Sequence, residues 1–149
     1  MKKYIGIDIG KKGGMCLIDY NQEVELYPFR DIKQFVKDIR KIYSEGSTIM
    51  IENVHSTPQM GVTSAFSFGM SYGQIQGVLH GLFIPYTTVE PMVWQRALGC
   101  LSGGDKGLLL EKAKELTLQL TFDIPKFNLA TADAFLIAYY AMRLQRERS

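Results

Sequence analysis

The sequence is short of several things. It has two cysteines, Cys16 and Cys100, in 149 residues. That is too few for a disulfide framework, and the pair has no metal-ligand spacing. Both read as reduced thiols in a cytoplasmic protein. No apolar run approaches the ~20 residues that a membrane span needs. The N-terminal stretch Met-Lys-Lys-Tyr-Ile-Gly-Ile is broken at once by Asp8, which argues against a signal peptide. There is one tryptophan, Trp94, which reads as core packing just after a helix-starting proline. The seven methionines form no cofactor pattern, and no small-molecule cofactor is expected. Charge of one sign is also scarce: the formal net charge is +2. That balance permits a nucleic-acid partner without requiring one. No internal repeat, linker or low-complexity segment interrupts the chain.

What is present is an ordinary globular composition, 46% hydrophobic and 21% charged. A chain of this length fits a single domain over residues 1–149 and would bury roughly 68–70% of its unfolded surface. Residues 3–9 are apolar and β-branched and read as a strand, followed by a glycine turn over 10–14. Residues 14–20 and 23–28 read as two more strands, closing an antiparallel meander. The period then changes. Ile32, Phe35, Val36, Ile39, Ile42 and Tyr43 recur at three and four, predicting an amphipathic helix over 31–44 with Asp31 as N-cap. Residues 48–52 form a buried strand, 53–63 a loop and 64–82 a helix. Residues 84–89 form a fifth strand, and Pro91 opens a short helix. Residues 105–120 and 131–146 are helical. The fold class is α/β: a mixed five-stranded sheet, an antiparallel meander plus parallel strands, flanked by helices.

The helix over 64–82 carries Ala65, Gly69, Gly73, Gly77 and Gly81 at intervals of four. Each glycine costs about 1 kcal/mol of helix stability against alanine. The resulting smooth ridge implies a close partner, either the chain's own elements or a second copy.

Three carboxylates stand where the pattern calls for apolar side chains. Asp8 interrupts the first strand, Glu52 ends the most apolar one, and Asp133 lies in the Ala-rich start of the last helix. Each has a plainer explanation taken alone: a strand-end turn, an exposed terminus, an acid favouring the helix dipole. Jointly they point to one site, because a buried carboxylate is costly unless it is paired or metal-bound. Carboxylate oxygens suit Mg²⁺ or Mn²⁺.

Ile5-Gly6-Ile7-Asp8-Ile9-Gly10 resembles the first-strand motif of RNase H-like folds. Ile51-Glu52-Asn53-Val54, Gly103-Gly104-Asp105-Lys106 and Ala132-Asp133-Ala134-Phe135 resemble, in order, the RuvC-type Holliday-junction resolvases. Val89-Glu90-Pro91-Met92-Val93-Trp94-Gln95 is similar to a strand-to-helix step in their phage members. The likeness runs in register from about residue 3 to 141 and covers nearly the whole chain.

The resemblance implies an RNase H-like endonuclease that resolves branched DNA by phosphodiester hydrolysis with metal-activated water. It implies Asp8, Glu52 and Asp133 as metal ligands, with two Mg²⁺ or Mn²⁺ ions per site. The family's usual fourth ligand, an acid or histidine, lies a few residues before the last aspartate; the position three before Asp133 is Ala130, so that ligand is missing, replaced or supplied by water. Asn128 is the substitute that could offer an amide oxygen. Lys106 would stabilise charge at the scissile phosphate. His55 would contact DNA near the crossover, and Lys11 and Lys12 would track phosphates. Phe66 and Phe68 read as core or dimer contacts. A homodimer fits a substrate with two symmetric strands to cut, and the glycine ridge is the candidate interface. The bacterial cytoplasm is the implied compartment for a phage-encoded member. The alternatives are a junction-binding protein with weak or no cleavage, and an RNase H-fold nuclease with another nucleic-acid substrate. An actin-like ATP-binding domain shares the first-strand Asp-x-Gly pattern, but such proteins need two domains.

Overall fold

The computed structural model describes residues 2–10, 12–121 and 125–149. Among the described residues, five strands and five helices follow one another in the expected order: β1 (Tyr4–Asp8), β2 (Gly14–Ile18), β3 (Val24–Pro28), α1 (Ile32–Ile42), β4 (Thr48–Glu52), α2 (Val62–Gly81), β5 (Thr87–Val89), α3 (Pro91–Ala97), α4 (Lys106–Thr117) and α5 (Leu129–Glu147). The sheet order is β3-β2-β1-β4-β5. The first three strands are antiparallel, whereas β1–β4 and β4–β5 are parallel. The sheet is therefore mixed, as the sequence implied.

Strand alternation splits the core in two. Tyr4, Cys16, Ile18 and Met50 pack with α3, α4 and α5 on one face. Ile5, Ile7, Leu17, Ile49 and Ile51 pack with α1 and α2 on the other. The same period carries Asp8 to the face of Tyr4 and Gly6, and Glu52 to the face of Met50. Both acids thus point to the α5 side, at the C-terminal ends of adjacent parallel strands whose register pairs Ile7 with Ile51.

Helix α5 lies across β1, β2 and β4. Its seat is made by Gly6: a Cβ there would stand 2.2 Å from the Ala134 carbonyl oxygen and 2.5 Å from the Ala138 nitrogen. Only a glycine on β1 lets the helix backbone come this close. Ala134 and Ala138 complete the approach from the helix side, and both are fully buried.

The caps follow the sequence. Asp31 accepts from the Gln34 N–H at the start of α1, and Pro91 takes the first turn of α3. Several boundaries move by a few residues, two of them with a bearing on the fold. The fifth strand is Thr87–Val89 rather than 84–89, because the Ile84 N–H bonds back to the Leu79 carbonyl at the end of α2 and Pro85 has no N–H to give. Helix α2 starts at Val62, two residues early. It buries only Ile75 and Leu79 fully over 20 residues. The glycine ridge is bare: a Cβ at Gly69, Gly73, Gly77 or Gly81 would meet nothing within 4 Å. Among the described residues nothing in the chain covers it, which argues against that explanation of the ridge. Among the described residues no helix is long and apolar enough to cross a membrane.

Candidate active site

The site is assembled at one end of the sheet. Asp8 and Glu52 come from the ends of β1 and β4. Asp133 comes from the second turn of α5, held over them by the close Gly6 seat. Asp133 is buried, with 2% of its surface exposed. Its Oδ2 accepts from the Lys106 ammonium at 2.7 Å. Its Oδ1 is buried with no hydrogen-bond partner among the described residues. A native interior rarely leaves such an oxygen orphaned, so the site has room for a further positive ligand.

Lys106 arrives by local geometry. Gly103 and Gly104 both have positive φ, +59° and +96°, conformations that other residues rarely adopt. They turn the chain sharply into α4, whose N-cap Asp105 accepts from the Gly107 N–H at 2.9 Å. Lys106 is then the first helical residue, 55% exposed at its side chain while its carboxylate partner is 3% exposed.

The electrostatics are those of crowded acids. Burial, then the charges of Glu52 and Asp133, push the Asp8 carboxyl well above the usual carboxylate range, and Lys106 offsets part of the effect. Burial also raises Glu52, opposed by a hydrogen bond from Trp94. Burial works to lower the Lys106 ammonium, but the hydrogen bond and charge of Asp133, with Asp8 and Glu52, more than offset it and hold the group protonated. Three acids sharing one ammonium form a site short of positive charge.

An open cleft of about 1040 Å³ lies over these groups, lined by Asp8, Glu52, Lys106, Lys12, Asn128 and Phe68 among others. The structure thus brings Asp8, Glu52, Asp133 and Lys106 together and adds Lys12 at the cleft wall. Lys11 lies outside the described residues. Phe66 is 69% exposed and is not core. Phe68 is half-buried at the cleft. His55, three residues past Glu52, is exposed and turned to Glu90, 3.3 Å from Oε1.

Asn128 does something other than expected. Its Oδ1 accepts from the N–H groups of Ala130 and Thr131, both at 2.9 Å, and caps α5. Thr131 closes the reciprocal half of a capping box. The amide oxygen that was to replace the fourth ligand is already occupied by the helix. Ala130 offers no donor side chain.

The structure adds contacts that the sequence pattern does not show. Trp94 is fully buried, as its core reading requires, and its Nε1 also donates to Glu52 Oε2 at 2.8 Å. Glu90 accepts from Asn53 Nδ2 at 2.6 Å, while Tyr72 donates to Asn53 Oδ1 at 3.2 Å. These bonds pin the exit of β4 from both sides. A signal existed for Trp94: a buried indole needs an acceptor, and Glu52 is one of few acids in the apolar segments.

Divalent ions suit this donor set in part. The donors are hard carboxylate oxygens, and Asp133 Oδ1 is orphaned. Among the described residues no three His, Cys, Asp or Glu side chains stand close enough to hold an ion as they are. The Lys106 ammonium occupies one of the Asp133 oxygens.

No family model matches the sequence, and no curated protein matches it by sequence. Similarity is found among solved structures. Thermus thermophilus RuvC in complex with a Holliday-junction substrate superimposes with a TM-score of 0.69 at 15% identity, over 99% of this chain and 96% of that one. The fold is that of the Holliday-junction resolvases. The yeast mitochondrial resolvase Ydc2 matches with a TM-score of 0.56 at 13% identity, over 96% of this chain and 78% of that one. Fowlpox virus resolvase with substrate Holliday-junction DNA matches with 0.52 at 12%, over 96% and 99%. The shared fold thus runs nearly end to end, with the mixed five-stranded sheet the sequence implied.

Proposed function

We propose that this chain is one RNase H-like nuclease domain over residues 1–149, a metal-dependent endodeoxyribonuclease that resolves four-way or other branched DNA. The observation that carries the reading is that Asp8, Glu52 and Lys106 line one cleft, with the Lys106 ammonium bonded to the buried Asp133, whose charge acts on Asp8. Two of the structurally similar proteins were solved with Holliday-junction DNA.

Asp8, Glu52 and Asp133 would hold the divalent ions, Mg²⁺ or Mn²⁺. When bound, such ions lower the pKa of water and neutralise charge on a transferring phosphate. The chain's own groups supply the rest. Asp8 lines the cleft from the end of β1. Lys106 would shift from Asp133 to a phosphate oxygen as the acids gain other counter-charge, and stabilise the charge that develops there. Lys12 at the cleft wall would hold a flanking phosphate, and His55 and Lys11 would extend that contact. Two strands must be cut, so a homodimer would present two such sites.

Asn128 favours a second reading. With its amide oxygen committed to the α5 cap and Ala130 inert, the chain would bind junctions and cut them slowly. Single-turnover cleavage of a four-way junction, a flap and a linear duplex in Mg²⁺ and in Mn²⁺ separates the two. A resolvase nicks the junction symmetrically and leaves the duplex intact. A binder shifts the junction in a gel without nicking it, and Ala130→Asp does not restore cutting. Preferential flap cleavage would reassign the substrate.

A further inference from the structure

Nothing in the cleavage chemistry requires a tryptophan, yet the only one in the chain is aimed at a site acid. Trp94 is fully buried in the cluster that also holds Met50, Leu98 and Leu109. Its ring is fixed by packing and by its place in the first turn of α3, after Pro91. The indole has a single N–H and no acceptor. That N–H goes to Glu52 Oε2, 42 residues away in sequence. Glu52 Oε1 takes no hydrogen bond from any described residue, and Glu52 lines the cleft. The following residue is clamped as well: the Asn53 N–H donates to the Val89 carbonyl at 2.7 Å, and its side chain is tied to Glu90 and Tyr72. One carboxylate oxygen of Glu52 is therefore tied down and the other left available.

We propose that Trp94 is a positioning residue for Glu52, fixing Oε2 so that Oε1 is presented to a divalent cation in the cleft. This rests on the metal-nuclease reading above. Groups that orient a ligand through its second atom typically change metal affinity by 10–100-fold when removed. A phenylalanine at this position would keep most of the packing and lose the bond. A purely structural tryptophan would show no such coupling to metal.

The test uses the full chain labelled with ¹⁵N, in which the sole tryptophan gives one indole N–H resonance. Adding Mg²⁺ should shift that resonance in the wild type. Glu52→Gln should displace it before any metal is added and abolish its response to Mg²⁺. In parallel, Trp94→Phe should weaken Mn²⁺ binding, followed by calorimetry, about 10–100-fold, and should change nothing further in the Glu52→Gln background. Mn²⁺ binding unchanged by Trp94→Phe, or an indole resonance that stays fixed while Mg²⁺ binds, overturns the positioning role and leaves the nuclease reading intact. A wild type that binds neither Mg²⁺ nor Mn²⁺ overturns both. If Trp94→Phe does not fold, the wild-type indole response decides the question alone.

Discussion

At the residue scale, the site is a local instability kept for its chemistry. Asp8 is raised first by burial and then by Glu52 and Asp133. Folded Asp8 therefore holds its proton more tightly than the unfolded chain does. Its contribution to stability is complete below the ordinary carboxylate pKa of about 4 and is lost as pH rises through the raised folded value. Glu52 has the same sign. In EDTA, the melting temperature should fall as pH rises above about 4 through this window, and Asp8→Asn should flatten the fall. At neutral pH the variant should melt higher than wild type, by about 2–4 °C for each kcal/mol of relieved repulsion. A lower melting temperature for Asp8→Asn in EDTA would mean the acids do not crowd as described. The three acids were legible in sequence because each broke an apolar pattern. Their partners were not. Trp94 and Glu52 are far apart in the chain: a buried indole calls for an acceptor, but nothing local in the sequence says which one it finds. Asn128 misled for a related reason: the type fits a ligand and an N-cap equally, and only the bonds to Ala130 and Thr131 distinguish them.

At the element scale, the seat of α5 on β1 sets the site's geometry. Asp133 reaches Asp8 and Glu52 because Gly6 lets the helix backbone approach the strand. Gly6→Ala would drive a methyl into the Ala134 carbonyl and the Ala138 nitrogen. Overpacking of this kind costs about 1–3 kcal/mol and sometimes more, and here the obstacle is backbone, which yields poorly. The variant should melt well below wild type and, where still folded, should bind Mn²⁺ more weakly, since α5 must lift Asp133 away. Unchanged melting and Mn²⁺ affinity would show that the close seat is not what positions the acid. The element order was legible because strand and helix periods differ so plainly along the chain. The role of Gly6 was not: inside a strand motif it looks like a neighbour of the interesting aspartate, and the need for glycine lies in a helix over 120 residues later. The late start of β5 was not legible for a similar reason, since Ile84 is claimed by the end of α2 before the sheet can use it.

At the scale of the whole molecule, the surface left open is the long helix. Val62, Phe66 and Met70 are exposed on α2, at 88%, 69% and 50%, and the glycine ridge beside them is bare. An uncovered ridge of glycines gives up helix stability with no return from the described residues, so a second copy on this face is the proposed compensation. Gly73→Glu should then yield monomers in analytical ultracentrifugation, with single nicks replacing paired cuts. If wild type is itself monomeric at tens of micromolar, the ridge has another purpose. In that case Gly73→Ala should simply stabilise the helix, by up to about 1 kcal/mol. Fold and site together lead to one decisive measurement: single-turnover cleavage of a synthetic four-way junction by wild type and by Asp8→Asn, with Mg²⁺, Mn²⁺ or EDTA. A metal-dependent resolvase gives symmetric nicks in either metal, none in EDTA, and none from Asp8→Asn, which still binds the junction with affinity close to wild type. Cutting by Asp8→Asn at the wild-type rate, or undiminished cutting in EDTA, would contradict the assignment of the site.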